Sequence, residues 1–401
     1  MKGEEIRVKL IKYIKGFLTV ALILPLVIFA STAFSGPSGK DLPSIIGLST
    51  FGQGSKPYVI ITAMSNAIER QTGIKVRVIP AVTDKARIMT VLRGEALGGY
   101  VGMATYVGAG GILEWLTEGP QNFSMIWAGA PAVVTIVVKK DSGIRTWADI
   151  KGKRVADCRK ISPAAGMVSE GNLSFGGITF NDVISVPLPP YAPSTKALMD
   201  GAVDVSFDGT ATPTIYELES SSHGVFTFET PPENVEGWTR FNKACPPYRP
   251  YPFTWGVGAS KTKPKWWPAN IIQLFCRPDA NEEVIYTVAK AIHDGYALFK
   301  DAHGECAEWT INNALDLNLL RGLFIPYHPG AIRFFQEKGK WTDKHDTWQK
   351  SRINFHRKVM EAYHETVSRT TKMGIARGSK DFEKFWNPNW DQLAQQLALE
   401  K

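Results

Sequence analysis

Apolar and polar positions fall into blocks from residue 44 onward, and the spacing inside each block predicts its element. Residues 44–49 (SIIGLS) form a short apolar run that reads as a buried strand, ending in the glycine-rich loop 50–56 (TFGQGSK). Residues 58–71 carry apolar side chains at helical spacing, and Thr72-Gly73 stops that helix. Residues 75–80 (KVRVIP) alternate with the period of a strand, and 81–84 open a further helix that Gly94 ends. Strand–helix–strand order with short connections predicts a parallel sheet covered by helices.

A second such unit follows. The β-branched run 132–138 (AVVTIVV) reads as a buried strand, followed by 144–152, a strand at 153–157 (KRVAD), a Ser/Pro/Ala/Gly loop and a helix. Then come a strand at 183–188, a helix at 194–200 and a strand at 203–207 (VDVSF). Residues 230–252, rich in proline and aromatics, read as irregular, and 253–259 (FTWGVGA) as a strand. From Glu282 helices dominate, with 284–300 and 350–371 the longest. The expected fold class is α/β with two lobes, each a mostly parallel sheet flanked by helices, and C-terminal helices packed on lobe 1. Lobe 1 is expected over 44–134, lobe 2 over 135–255 and the return to lobe 1 over 256–401, with crossings near 132–139 and 253–260.

The N-terminus changes the picture from a soluble domain to an exported one. Lys2, Arg7, Lys9, Lys12 and Lys15 precede the apolar run 17–30, and Ser31-Thr32-Ala33 follows it. That is the layout of a secretory signal peptide over 1–33, and the run is shorter than the ~20 residues of a bilayer-spanning helix. A periplasmic location follows, with an uncleaved membrane anchor as the alternative to cleavage. Losing this segment lowers the formal charge from +8 by three, a modest and dispersed excess that suits an acidic ligand. No stretch interleaves basic and aromatic residues as a nucleic-acid groove would, so no nucleic-acid partner is expected. Cys158, Cys245, Cys276 and Cys306 form no Cys-x-x-Cys pair, so neither a metal site nor a cofactor is indicated, while one or two disulfides suit an oxidising compartment.

Ligands of open α/β sheets bind beyond the carboxyl ends of strands. The loop 49–58 lies at such an end and runs into a helix start. Gly52 and Gly54 let backbone approach a ligand there, or serve only the turn, and Ser49, Gln53, Ser55 and Tyr58 are the polar candidates. Thr83 or Asp84 caps the next helix, and Arg87 lies one turn in, where its planar fork suits a carboxylate. Lobe 2 is expected to add Ser162 before a helix, and Asp208 and Gly209 after a strand. Asp208 would repel a carboxylate, so it binds an amino group, caps a helix or pairs with Arg159. Thr135 at the crossing and Tyr100 or Tyr106 complete the lining, although a tyrosine there serves equally as core. Trp266-Trp267 reads as core or as a docking surface, and His328 as a turn residue.

These segments resemble the TAXI class of TRAP-transporter solute receptors, periplasmic binding proteins of the type II two-lobed fold. The resemblance rests on GLSTFGQGSKPYVIITAMSNAIERQTGIKVRVIPAVTDKARIMTVLRGEA, WADIKGKRVAD, FDGTATPTIYEL and, most specific, IPYHPGAIRFFQEKGKW. It implies capture of a small organic acid, a carboxylate or an amino acid such as glutamate, for a TRAP-type membrane permease, and it favours Arg87 as a ligand contact. The stretch CRKISPAAGM departs from the small hydroxyl residues usual at its position. A secreted enzyme is the rival class, but no Gly-x-Ser-x-Gly elbow and no His-Glu-x-x-His pair occurs. A sensor-associated or ATP-driven receptor on the same fold is the third reading.

Overall fold

A computed structural model describes residues 42–53, 55–81, 83–159, 162–188 and 194–399. The expected signal segment and Gly54 lie outside the described residues.

The first lobe begins as its sequence predicts. Strand β1 (Ile45–Thr50) leads into helix α1 (Lys56–Thr72), whose N-cap Ser55 accepts from the Tyr58 amide. Gly73 closes the helix at φ 76°, a left-handed turn that glycine adopts without strain. Ile60, Ile61, Met64 and Ile68 are fully buried on one helix face. Strand β2 (Lys75–Pro80), helix α2 (Asp84–Leu92), strand β3 (Gly98–Val101) and helix α3 (Ala104–Gly110) follow. β1 pairs parallel with β2 on one side and β3 on the other.

The chain then enters β4 (Ser124–Val133), passes through the single residue Val134 and continues as β5 (Thr135–Lys139). Lobe 2 contains β6 (Arg154–Asp157), α4 (Pro163–Phe175), β7 (Ile184–Pro187), α5 (Ser194–Met199), β8 (Ser206–Asp208), α6 (Pro213–Ser220), β9 (Val225–Thr227) and α7 (Val235–Ala244). β6 and β7 pair in parallel, whereas β5 lies antiparallel between β8 and β9. β10 (Arg249–Phe253) and the twelve-residue β11 (Lys265–Cys276) return to the first sheet, whose order is β10-β11-β3-β1-β2 with β4 also on β11. The six-stranded sheet is therefore mixed, with antiparallel pairs added by β4, β10 and β11, while lobe 2 divides into the parallel pair β6-β7 and the antiparallel sheet β8-β5-β9.

Three expectations change here. Residues 230–252 are not all irregular, because Asn234 caps α7 and Trp238 and Phe241 bury one face of it. The strand expected at 253–259 ends at Phe253; Gly256 at φ 96° and Gly258 at φ 73° turn the chain instead. β10 belongs to the six-stranded sheet although it precedes the boundary expected at residue 256, and the loop after it returns to lobe 2, where Val257 is buried with Val137 and Leu198.

Helices α8 (Glu282–Asp294), α9 (Pro329–Glu337), α10 (Asp343–Lys372) and α11 (Lys380–Leu399) pack on lobe 1, interrupted by unnumbered single turns. Trp386 Nε1 donates to Gly110 O at 2.8 Å and Trp390 Nε1 to Tyr106 Oη at 3.0 Å, which ties α11 to α3. His328 is the N-cap of α9, its Nδ1 accepting from the Gly330 amide at 3.1 Å. Trp267 is fully buried in β11, so it is core. No described helix is long and apolar enough to cross a membrane.

Strand directions decide where a site can form. β11 runs antiparallel to both β3 and β4, so β4 points the same way as β1, β2 and β3. The crossing at Val134 thus lies on the side of those strands' carboxyl ends. In lobe 2, β8 runs antiparallel to β5, and Val155 of β6 bridges Val205 in parallel, so β6 and β8 point back toward the crossing. The register pairs Thr135 with Asp208. Both lobes therefore present strand carboxyl ends to one another.

Candidate functional site

On the lobe 1 side, Ser49 and Thr50 end β1 fully buried, and neither hydroxyl has a hydrogen-bond partner among the described residues. Ser55 holds the following loop, its Oγ donating to Gly52 O at 2.7 Å. A side chain on Gly52 would meet open space. Gln53 is exposed and its amide lies 3.4 Å from Tyr58 Oη. Thr83 caps α2 by accepting from the Ala86 amide at 3.1 Å.

Arg87 reaches this ledge but does not stand open in it. Only 1 % of it is exposed. One terminal nitrogen donates to the Asp84 carboxylate and the other to Ala81 O at 3.3 Å. The guanidinium carbon lies 3.3 Å from the centre of the Phe51 ring, and Nε has no partner. Burial pulls the Arg87 pKa down while Asp84 opposes the shift.

A second buried set stands beside the loop. Tyr100 Oη donates to Glu305 Oε1 at 2.6 Å, and Lys56, at the start of α1, pairs with the other Glu305 oxygen. Glu305 is fully buried, and Trp309 stacks on Tyr100 at 6.1 Å. Burial and the neighbouring Glu305 carboxylate push the Tyr100 pKa up. Sequence reading missed Lys56 and Glu305 because 249 positions separate them and no periodicity marks the 304–308 turn.

On the lobe 2 side, Asp157 ends β6 and takes two bonds from the Arg159 guanidinium, at 3.0 and 2.7 Å, and one from Ser185 Oγ at 2.6 Å. Those donors hold its carboxyl well below the usual range, the Arg159 bond most of all. Of the three roles open to Asp208, the pair with Arg159 therefore does not form. Asp208 accepts instead from Thr195 Oγ1 and the Gly209 amide, each at 2.7 Å, and from Thr214 and Thr212 at 3.3 and 3.4 Å. Burial raises its pKa, and these hydrogen bonds oppose the rise. A side chain on Gly209 would meet Val133 O and Thr212 Cγ2 at 3.3 Å. Thr210 Oγ1 is buried and unpartnered. Ser162 caps α4, accepting from Ala165 N at 3.2 Å, and Thr135 Oγ1 donates to Phe228 O at 2.9 Å.

The expected residues are thus grouped in part. Ser49, Gly52, Gln53, Ser55, Tyr58, Thr83 and Arg87 surround the carboxyl ends of β1 and β2; Thr135, Ser162, Asp208 and Gly209 surround those of β6 and β8 and the crossing. Tyr106 stands apart, packed at 4.7 Å against Phe324 and hydrogen-bonded to Trp390 in the core. All four cysteines are free thiols, so none of the disulfides that the sequence left possible forms among them. No described trio of His, Cys, Asp or Glu side chains is grouped to hold a metal ion. A concavity of about 400 Å³ lined by Ile45, Arg77, Gly94 and Arg277 sits at the opposite end of β1, away from the crossing.

What the geometry offers is recognition by paired ledges: buried hydroxyls, a covered arginine and a carboxylate nest, with Arg87, Lys56 and Arg159 each facing an acid of the same chain. The NMT1-like family matches residues 48–339. Among solved structures, the chain resembles a protein of Bordetella bronchiseptica RB50 at 15% identity, covering 74% of this chain and 98% of that one at a TM-score of 0.45. It also resembles the periplasmic aliphatic sulphonate binding protein SsuA of Escherichia coli, at 13% identity, 77% and 92% coverage and a TM-score of 0.41. A TctC solute binding protein from Polaromonas gives 15% identity, 64% and 86% coverage and a TM-score of 0.43.

Proposed function

The chain belongs to the NMT1-like family, and from that premise we propose that it is an extracytoplasmic solute-binding receptor that captures a small organic acid between its lobes. The observation that carries this reading is the opposition of strand carboxyl ends across the Val134 crossing, with Ser49, Thr50 and Arg87 Nε on one side and Thr210 on the other buried without partners. Burying a polar group unpaired costs about 1–3 kcal/mol, so a ligand that supplies the missing partners gains what the empty site lacks. Ligand then favours closure to the extent that it binds the closed arrangement better than the open one.

The finer reading follows the resemblance to TAXI receptors. The ligand is a carboxylate or an amino acid such as glutamate, the location is the periplasm after signal-peptide export, and the delivered solute passes to a TRAP-type permease. On this reading the protein is a carrier rather than an enzyme. Lobe 1 comprises 44–134 and the return that begins at β10, and lobe 2 comprises 135–248 together with the loop after β10.

A thermal-shift screen of the purified protein against small carboxylates and amino acids tests it. A ligand present at a hundred times its dissociation constant stabilises the fold by about 2.7 kcal/mol. A concentration-dependent rise with one class identifies the solute; a flat response across carboxylates and amino acids removes the organic-acid reading.

A further inference from the structure

Ser49, Phe51 and Arg87 stand on one face of the first sheet. Ser49 is in register with Gly99, and a side chain on Gly99 would meet Val91 Cγ2 at 3.2 Å, so Ser49 faces α2. Arg87 lies one turn before Val91 on that helix, over the carboxyl end of β1. Phe51, two residues beyond Ser49, lays its ring on the guanidinium at 3.3 Å.

Two hydrogen-bond donors are buried there without use. Ser49 is 0 % exposed and its Oγ has no partner; Arg87 is 1 % exposed and its Nε has none. The other guanidinium nitrogens are committed to Asp84 and Ala81 O. Nε–H is left without a partner. Phe51 itself is half-buried and follows the last paired residue of β1; no described residue hydrogen-bonds its backbone. Gly52 after it borders open space. The holds on Phe51 are the ring face on the cation and an edge-on contact with the Tyr100 ring at 6.2 Å.

We propose that Phe51 is the movable cover of a carboxylate subsite whose donors are Arg87 Nε–H and Ser49 Oγ–H. An entering carboxylate exchanges the ring face for a charge-assisted hydrogen bond, which is the stronger contact for a guanidinium. The ring swings toward the solvent side of the loop and closes over the ligand. Asp84 keeps its nitrogen throughout, so the incoming anion meets a cation already partly compensated, and release stays fast. The inference rests on the organic-acid reading above and adds to it how the solute is admitted.

The test places 4-fluorophenylalanine at position 51 and follows its fluorine resonance while acetate, succinate, glutamate and benzoate are titrated separately. Stopped-flow association rates are measured for the parent and Phe51→Ala, and affinities for the parent, Ser49→Ala and Arg87→Lys. The expected result is a resonance that moves with occupancy, several-fold faster association for Phe51→Ala, and affinity lowered about tenfold or more in Ser49→Ala and Arg87→Lys. Binding seen only in Phe51→Ala also supports the cover, because it shows the ring excluding the anion. An anion that binds while the resonance stays still and association is unchanged overturns the cover and leaves the receptor reading standing. No binding to either the parent or Phe51→Ala overturns both.

Discussion

Lys56, Glu305 and Tyr100 make an asymmetric network, and the asymmetry can be measured. Glu305 is 0 % exposed, whereas the Lys56 side chain is 28 % exposed and can turn to water. Lys56→Met leaves a carboxylate inside the fold with one remaining donor, Tyr100 Oη at 2.6 Å. Removing one partner of a buried pair costs about 3–5 kcal/mol, and the surviving hydrogen bond places this case near the lower end, about 3. Glu305→Gln keeps an oxygen for Tyr100 and leaves only a lysine that reaches solvent, so about 1–2 kcal/mol is expected. The double variant carries no stranded charge and should be more stable than Lys56→Met alone, which inverts simple additivity. Urea denaturation reads all three, with an unchanged slope confirming that the unfolding transition is the same one. A Lys56→Met cost under about 1 kcal/mol, or a double variant weaker than that single, refutes the reasoning, since both require Glu305 to be stranded.

Two further outcomes follow from the same geometry. A side chain on Gly129 would lie 2.4 Å from Trp309 Cζ2, and Trp309 is fully buried, so Gly129→Ala should cost about 1–3 kcal/mol of overpacking and alter near-ultraviolet dichroism; an unperturbed spectrum and stability would count against the packing described. Asp157, whose pKa is lowered by Arg159 and Ser185, stabilises the fold above its unfolded value of about 4 and loses that contribution as pH falls through its folded value. The stability gap between the parent and Asp157→Asn should therefore narrow in acid, and a gap that stays constant from pH 7 down to about 2 would contradict the assignment.

Local signals carried the α/β units into view. α1 is bounded by Ser55, Pro57 and Gly73, each acting through backbone chemistry that neighbours determine. β11 stayed hidden because Pro268 interrupts its strand pattern. In the structure Pro268 sits opposite Pro250 on β10, two residues that lack N–H groups facing each other, so the defect is shared rather than spread through the sheet. α7 escaped notice for a related reason: its two buried aromatics, Trp238 and Phe241, lie between proline-rich flanks. Arg87 stands in the first turn of its helix as its motif implies, but the sequence offers no way to weigh a ligand carboxylate against Asp84 three residues away. Of the roles open to Asp208, pairing with Arg159 is excluded because Asp157, two residues from that arginine, takes it, and Asp208 turns to hydroxyls and an amide near it instead. Contacts across hundreds of positions, as at Glu305, leave no periodic trace at all.

The one-residue passage at Val134 has a consequence for how strongly each ledge must bind. With Thr135 already paired to Asp208 at its far side, the two halves are tethered at a span of a few ångströms rather than free to diffuse. A solute held by the first half therefore meets the second at an effective concentration set by the tether, of millimolar order or above for short connections. On the proposed receptor reading, two half-sites that are each weak would act as one chelating receptor. Evolution is left free to exchange the chemistry of either ledge without losing capture, because the linkage supplies the avidity.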